Sequence, residues 1–134
     1  MEKRRFIITG GSGFLGQFLI RKLSSLYPDL EIHNIDVKHP TGLSIANLTN
    51  HIIDITIKEN LKSFKFSEND IVYHLAAYTY VFTKNIPYKT RRDNFFESLN
   101  VFGTKNLLDT MEETGARNIA VSYTHLTLPT NREV

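Results

Sequence analysis

Residues 9–16 read Thr-Gly-Gly-Ser-Gly-Phe-Leu-Gly and follow the apolar run Phe6-Ile7-Ile8. Apolar residues at helical spacing come next, so the stretch joins a predicted strand to a predicted helix. A strand that turns into a helix around a bound phosphate requires glycine at three points. These are the tight turn, the closest approach of backbone to phosphate, and the contact of helix with sheet. Gly10, Gly13 and Gly16 have the spacing for these roles.

The residues around the turn indicate which kind of phosphate it binds. Unpaired amides in the first helical turn, near Phe14 and Leu15, add donors and the positive end of the helix dipole. A Walker loop requires Gly-Lys-Ser/Thr, whereas Gln17 follows Gly16 here. A kinase glycine loop requires downstream Val-Ala-Ile-Lys and His-Arg-Asp segments, and the sequence contains neither. The stretch therefore predicts a dinucleotide pyrophosphate site.

The acidic residue at the end of the second apolar run supports this prediction. Asp36 lies 20 residues beyond Gly16, where a carboxylate accepts hydrogen bonds from an adenosine ribose. Its charge would repel the 2′-phosphate of NADP, so NAD is favoured, although Lys38 and His39 lie nearby. Strand, glycine loop, helix, strand and acid occur in the order that a Rossmann-type site requires.

Composition limits the remaining classes of protein. With 134 residues the chain forms one domain at most, and its net charge of +2 comes from scattered basic residues, so no nucleic-acid partner is expected. Four glycines within residues 6–20 argue against a signal peptide and a membrane span. The absence of cysteine excludes disulfides and thiolate metal sites. We expect a cytoplasmic protein without a membrane partner or a bound metal.

Strands alternate with helices along the chain. Strands are predicted at about residues 6–8, 31–36, 51–55, 70–76 and from 118 to 121, with a polar connection over 38–50. The helix after the glycine loop is predicted to end before Pro28 and to bury one face, formed by Leu15, Phe18, Leu19, Leu23 and Leu26. This alternation predicts an α/β fold with a doubly wound parallel sheet, Rossmann-like and truncated after about five strands.

The second half is predicted to contain one long helix. A weak helix candidate covers residues 57–66, and an exposed loop rich in aromatic and basic residues covers 78–92. The long helix runs from about residue 93 to 114, with Gly115 at its stop. One stripe of this helix is formed by Phe95, Leu99, Phe102 and Asn106.

Four segments together resemble the extended short-chain dehydrogenase/reductase family, also called NAD-dependent epimerase/dehydratases. They are the glycine stretch at 9–16, Asp36, Asp-Ile-Val-Tyr-His-Leu-Ala-Ala at 70–77, and Asn-Val-Phe-Gly-Thr-Lys-Asn-Leu-Leu at 100–108. The resemblance covers residues 5 to about 120. It implies an NAD-binding domain over residues 1–120 and a parent enzyme that is an epimerase, a dehydratase or an oxidoreductase similar to 3β-hydroxysteroid dehydrogenase. The parent would act on a small-molecule substrate, and a homodimeric parent is consistent with the family.

The resemblance also implies roles for individual residues. The pyrophosphate would lie against Gly10, Gly13, Phe14, Leu15 and Gly16. Asp36 would bind the adenosine ribose, and Asp54 with the Ile55 backbone would bind the adenine. The nicotinamide would lie beside Leu75, Ala76 and Ala77, and Asn100 would help to order the active site.

Several of these residues have simpler structural interpretations. Asp54 can instead cap the end of a strand, and His74 in its apolar run is predicted to be a hydrogen-bonded core histidine and not a ligand or base. The loop residues Tyr78, Tyr80, Tyr88, Arg91 and Arg92 can contact an anionic substrate, but a solvated loop is the favoured interpretation.

The family's chemistry requires a tyrosine with a lysine four residues later, because the lysine lowers the pKa of the phenol toward working pH. The final third of the chain contains no such pair, and no lysine follows Lys105. As written, the chain is therefore predicted not to turn over substrate. The alternative is a dinucleotide-binding sensor or regulator without catalysis.

The last residues differ in character from the rest. Residues 121–134 show no helical period, and Pro129 interrupts any strand. Residues 121–130 match one translated frame of a transposon-derived sequencing-library adapter at ten consecutive positions. We interpret 121–134 as a non-native tail.

Overall fold

Five parallel strands form a single sheet in the order β3-β2-β1-β4-β5. The computed structural model describes residues 3–77, 87 and 91–122, with the backbone alone for 91–96. The strands are β1 (Phe6–Thr9), β2 (Ile32–Asp36), β3 (Leu48–Ile52), β4 (Ile71–His74) and β5 (Asn118–Val121). This order is that of a Rossmann sheet, so the predicted fold class is confirmed.

Helices cover both faces of the sheet. They are α1 (Phe14–Leu26), α2 (Lys58–Leu61), and a long helix whose first part, Arg91–Gly103, is π-helical and whose second part is α3 (Thr104–Glu113). The alternating side chains of the strands supply one apolar cluster to each face. Ile8 packs on the α1 side, whereas Ile7 packs on the side of α2 and α3. The central strands are therefore buried on both faces.

The predicted apolar face of α1 is right for Leu19 and Leu23, which pack on the sheet, and wrong for its other three residues. The residues of α1 that are buried are Gly16, Ile20 and Leu23. Leu15, Phe18 and Leu26 are more than half exposed. The helix is apolar around much of its circumference, so its local pattern allows several buried stripes. The sheet selects the stripe that begins at Gly16, because a Cβ there would overlap the Gly10 carbonyl oxygen.

The third strand lies three residues before its predicted position. β3 pairs with β2 from Leu48 to Ile52, and the amide of Ile53 makes a last bond to the Asp36 carbonyl. Ile53 and Ile55 are buried in the core beyond the end of the strand. Their apolar character reflects packing under the long helix and not pairing in the sheet.

The long helix extends from 91 to 113 as predicted, but its first part is π-helical and its buried stripe is different. Leu107, Thr110 and Met111 are buried, whereas Phe102 is half exposed. Gly115 adopts φ +81° just after the helix, in agreement with the predicted stop. In the part of the chain that the structure describes, no helix has the length and apolar character needed to cross a membrane.

Candidate functional site

The glycine stretch forms the turn between β1 and α1 at the carboxyl edge of the sheet. Gly10 adopts φ +76°, a conformation that L side chains rarely take. A Cβ on Gly10 would come within 2.7 Å of the Ala76 amide nitrogen, so β1 and the exit of β4 touch through backbone alone. A Cβ on Gly13 would meet the Gly10 carbonyl oxygen at 3.4 Å and, its two chain neighbours aside, no other heavy atom of the described residues within 4 Å. The turn is thus tight toward the sheet and open toward its outer side.

Backbone amides of the turn fall into two groups. The amide of Gly10 donates to the Ile35 carbonyl at 2.9 Å, and the two following amides bond to side chains of β2. Among the residues that the structure describes, the amides of Phe14, Leu15 and Gly16 have no acceptor, and no acidic side chain lies in that first turn of α1. Three donors at a positive helix end therefore remain available to an anion.

Asp36 lies beside this turn at the end of β2. Its Oδ2 accepts the Ser12 amide at 3.0 Å, and its Oδ1 accepts the Val37 amide at 2.6 Å. Each carboxylate oxygen retains acceptor capacity for a further donor. The acid is half-buried and oriented by two backbone amides, so a hydroxyl arriving at this edge meets an acceptor whose direction is already set.

Thr9 connects the carboxyl ends of β1 and β4. Its hydroxyl oxygen accepts the amides of Leu75 at 3.1 Å and Ala76 at 3.2 Å. It lies 2.6 Å from Nδ1 of His74. Because two amides occupy the acceptor sites of the hydroxyl, its single proton is directed to Nδ1.

His74 is therefore neutral and carries its proton on Nε2, which donates to the Thr104 hydroxyl at 2.8 Å. Burial lowers the pKa of His74 to about 4. The residue thus connects the end of β4, just before Leu75, to the long helix. The structure thus agrees with the prediction of a hydrogen-bonded core histidine.

The opposite side of the edge contains Asp54 and Ile55, in the loop before α2. Oδ1 of Asp54 accepts the amide of Thr56 at 2.9 Å and its hydroxyl at 2.7 Å, which is the capping arrangement of the simpler interpretation. The carbonyl of Ile55 accepts Nδ2 of Asn106 at 2.9 Å. Asn106 therefore fixes the position of the loop that the resemblance assigns to the adenine.

Of the remaining predicted residues, Asn100 is described with its side chain. Asn100 is half-buried in the π-helical part of the long helix, and Gly103 brings that helix to within van der Waals distance of Ile55. Ser122 follows β5, and its Oγ is buried without a partner among the described residues. The predicted loop residues Tyr78, Tyr80 and Tyr88 lie outside the described residues. So do the side chains of Arg91 and Arg92, although the backbone of these two is helical.

Sequence reasoning missed three polar side chains that hold the loops of the site in place. Asn34 and Thr9 are buried within strands, and Asn106 lies on the predicted stripe of the long helix without an assigned role. Buried polar residues within strands are the available signal, because such groups require specific partners.

The geometry fits a dinucleotide. Free amides, an oriented carboxylate and a glycine turn that a Cβ would block occupy one edge of a parallel sheet, where Rossmann folds bind ligands. Among residues 3–77, 87 and 91–122, no group of three or more His, Asp or Glu side chains could hold a metal ion.

Comparison with curated proteins identifies relatives with sugar-nucleotide and sterol substrates in their names. The chain is 28% identical over 116 residues to UDP-glucose 4-epimerase of Mycoplasma pneumoniae, covering 83% of this chain and 32% of that protein. It is 29% identical over 123 residues to the decarboxylating sterol-4-alpha-carboxylate 3-dehydrogenase of Saccharomyces cerevisiae, covering 86% and 32%. It is 31% identical over 124 residues to human dTDP-D-glucose 4,6-dehydratase, covering 82% and 33%. The chain thus spans about a third of the length of these relatives.

Solved structures share the fold. A crystal structure of UDP-galactose 4-epimerase superposes with a TM-score of 0.69 at 25% identity, covering 89% of this chain and 37% of that one. A short-chain dehydrogenase/reductase superfamily protein from Agrobacterium tumefaciens with bound NAD superposes with a TM-score of 0.67 at 19% identity, covering 89% and 32%.

A family model also matches most of the chain. The model is described as the 3-beta hydroxysteroid dehydrogenase/isomerase family, and the match extends over residues 7–125. Its homologues and structural neighbours lie among the extended short-chain dehydrogenase/reductases. The chain therefore belongs to the 3-beta hydroxysteroid dehydrogenase/isomerase family.

Proposed function

We propose that this chain is the NAD-binding part of an extended short-chain dehydrogenase/reductase, whose full-length parent is an epimerase, a dehydratase or an oxidoreductase. The observation that supports this most directly is the set of three free amides at the start of α1, beside a glycine turn and an oriented carboxylate. The parent's substrate is a small molecule. The substrate-specific half lies in the part of the relatives that this chain does not cover.

Each cofactor group has residues of the chain that suit it. The pyrophosphate lies against Gly10, Gly13, Phe14, Leu15 and Gly16. Asp36 accepts the hydroxyls of the adenosine ribose, and Asp54 with the Ile55 backbone borders the adenine. Leu75, Ala76 and Ala77 border the nicotinamide, whose chemistry when bound is hydride transfer. Asn100 has a supporting role in ordering the site.

Turnover is not expected from the chain as written. A tyrosine followed four residues later by lysine occurs once, at Tyr80 and Lys84. That pair precedes the long helix and lies outside the described residues, whereas the family's reaction uses a pair after strand five. Without that pair, no group is assigned to exchange a proton with the substrate.

Isothermal titration calorimetry of the 134-residue chain with NAD and NADP tests the binding proposal. Wild type is expected to bind NAD more tightly than NADP. Asp36→Ala is expected to weaken NAD binding roughly tenfold, since a hydrogen bond to a charged group is lost. It is also expected to reduce the difference in affinity between NAD and NADP. Asp29 is an exposed acid after α1, so Asp29→Ala is the control. It is expected to change neither the affinity for NAD nor the difference from NADP. Equal affinity of wild type for both dinucleotides would remove the argument from Asp36.

A dinucleotide sensor without catalysis is the second candidate function, because the same site serves either role. The complete gene distinguishes the two. A Tyr-x-x-x-Lys pair after strand five would indicate the enzyme, and its absence would indicate the sensor. We also propose a cytoplasmic location and a homodimeric parent, which fractionation and sedimentation of the full-length protein test.

The domain boundary near residue 120 is part of the proposal. The family match extends to residue 125, so it includes residues 121–125, whereas residues 126–134 lie outside it. Residues 123–134 lie outside the described residues, and we propose that 121–134 derive from a sequencing adapter. Sequencing the same locus from independent genomic DNA tests this, and codons for residues 122–134 in the gene would overturn it.

A further inference from the structure

Asn34 is a buried amide in the middle of β2. It is 1% exposed and lies between Ile32 and Ile35, which belong to the two cores of the sheet. A buried amide without hydrogen bonds costs several kcal/mol relative to one in water, whereas an aliphatic residue at this position would add to the core. Its burial therefore requires hydrogen-bond partners that offset the cost of desolvation.

The partners of Asn34 are parts of the glycine turn and of β3. Its Oδ1 accepts the Gly11 amide at 2.9 Å, and its Nδ2 donates to Oγ of Ser12 at 3.2 Å and to Oδ1 of Asn50 at 2.9 Å. Because a backbone N–H can only donate, the orientation of the carboxamide follows from the chemistry of the Gly11 bond. Both amide hydrogens then have acceptors.

Ser12 extends these contacts to the segment that follows Asp36. Its hydroxyl accepts from Asn34 and donates to the Lys38 carbonyl at 2.6 Å, while its own amide bonds to the Asp36 carboxylate. The turn is therefore held to β2 at Gly10, Gly11 and Ser12 in succession. The amides that remain free begin at Phe14.

We propose that Asn34 is a positioning residue for the dinucleotide site. It holds Gly11 and Ser12 against β2, so that the first-turn amides of α1 and the Asp36 carboxylate are oriented before the nucleotide arrives. This inference rests on the proposed function only for its effect on affinity. The effect on the turn itself is independent of any ligand.

Amide hydrogen exchange of the 134-residue chain, followed by NMR, tests the effect on the turn. Asn34→Leu removes all three bonds, and we expect the exchange of Gly11 relative to that of Ile8 to increase at least tenfold. The Ile8 amide lies in β1 and corrects for global stability. Ile32→Val is the matched control, because it removes one buried methyl group on the same strand without touching the turn. A Gly11-to-Ile8 ratio equal to that of wild type in Asn34→Leu would overturn the inference.

A milder variant applies if Asn34→Leu does not fold. Asn50→Ala removes one acceptor of the Asn34 amide from a half-buried position and leaves the Gly11 bond in place. We expect a smaller increase in the same ratio, about threefold. A ratio equal to that of wild type would contradict the proposal.

Calorimetry with NAD then tests the consequence for binding. If the turn of Asn34→Leu is competent in about a tenth of the molecules, the apparent Kd increases roughly tenfold. A merely structural role would leave the Kd unchanged at temperatures well below the melting transition, as expected for Ile32→Val. Failure of wild type to bind NAD would reject the proposed function, and the exchange ratio would still decide the role of Asn34.

Discussion

The Thr9 hydroxyl donates its proton to Nδ1 of His74 across 2.6 Å, and this contact sets which ring nitrogen of the histidine carries the proton. The acceptor sites of the hydroxyl are occupied by the amides of Leu75 and Ala76. A protonated Nδ1 would face a hydroxyl with no acceptor site left. Through its other nitrogen, His74 bonds to Thr104 and so connects both strand exits to the long helix.

The first prediction concerns acid stability. The pKa of His74 is lowered by burial to about 4, below the 6.5 of an exposed histidine. Between these values the unfolded chain binds a proton at this position and the folded chain does not, so folding stability decreases as the pH falls from 6.5 toward 4. The difference corresponds to roughly 3 kcal/mol, fully available above pH 6.5. Urea unfolding at pH 7.5, 6 and 4.5 measures it.

A matched pair of variants assigns that pH dependence. His74→Asn keeps an acceptor for Thr9 without a titrating ring, so its stability is expected to vary less over this range. The pKa of His51 is also lowered, first by burial and then by the charges of His33 and Arg5. His51→Asn is therefore the variant whose pH dependence of stability is compared with that of His74→Asn. An unchanged pH slope in His74→Asn would show that His74 is protonated in the folded protein.

The fold was predictable because its signals are local. The glycine turn, the alternation of strands with helices and the stop at Gly115 depend on neighbouring residues, and the structure agrees with each. Where the sequence pattern gave the wrong position, long-range contacts determine the actual one. β3 lies at 48–52 because β2 pairs with it there, although Ile53 and Ile55 give residues 51–55 the more strand-like pattern. The stripe that α1 buries depends on its contact with Gly10 and Gly11.

The same distinction applies to the candidate site. Residues that belong to a sequence motif, such as Gly10 and Asp36, were predictable from spacing. Asn34, Thr9 and Asn106 act through partners between 16 and 67 positions away in the chain, so no local pattern reveals them. Their signal is chemical, since each is a polar group that the fold encloses.

The second prediction separates backbone strain from steric overlap at the glycine turn. Gly10 and Gly42 both adopt positive φ, +76° and +70°, but a Cβ on Gly42 would meet nothing within 4 Å. Gly42→Ala is expected to cost about 1 kcal/mol of unfolding free energy through strain alone. Gly10→Ala is expected to cost several kcal/mol, because its Cβ would overlap the Ala76 backbone. Similar urea midpoints for the two variants would contradict the close contact of β1 with β4.

The third prediction concerns the amino edge of the sheet, far from the glycine turn. The Asp70 carboxylate is 0% exposed and accepts two bonds from Arg5, both at 2.8 Å. Asparagine at this position has one side-chain oxygen, which can accept one of these bonds. Its NH2 group would face the other Arg5 nitrogen, so that two donors meet. Asp70→Asn is expected to destabilise the fold by about 3 kcal/mol while leaving NAD affinity unchanged below the melting transition. Asp109→Asn, which breaks the exposed pair with Lys105, is the control and is expected to change the urea midpoint little.

The fourth prediction assigns Asn106 to the loop before α2. Its Nδ2 donates to the Ile55 carbonyl at 2.9 Å, and one turn later the Thr110 hydroxyl donates to the Asn106 carbonyl of its own helix. Asn106→Leu is expected to release the loop and to raise the Kd for NAD severalfold, with a smaller effect on a ligand that lacks adenine, such as nicotinamide mononucleotide. Thr110→Val, a buried change on the same helix, is the control for lost stability. An equal loss of affinity for both ligands in Asn106→Leu would indicate that Asn106 acts on the whole site, because release of the adenine loop alone leaves the nicotinamide contacts intact.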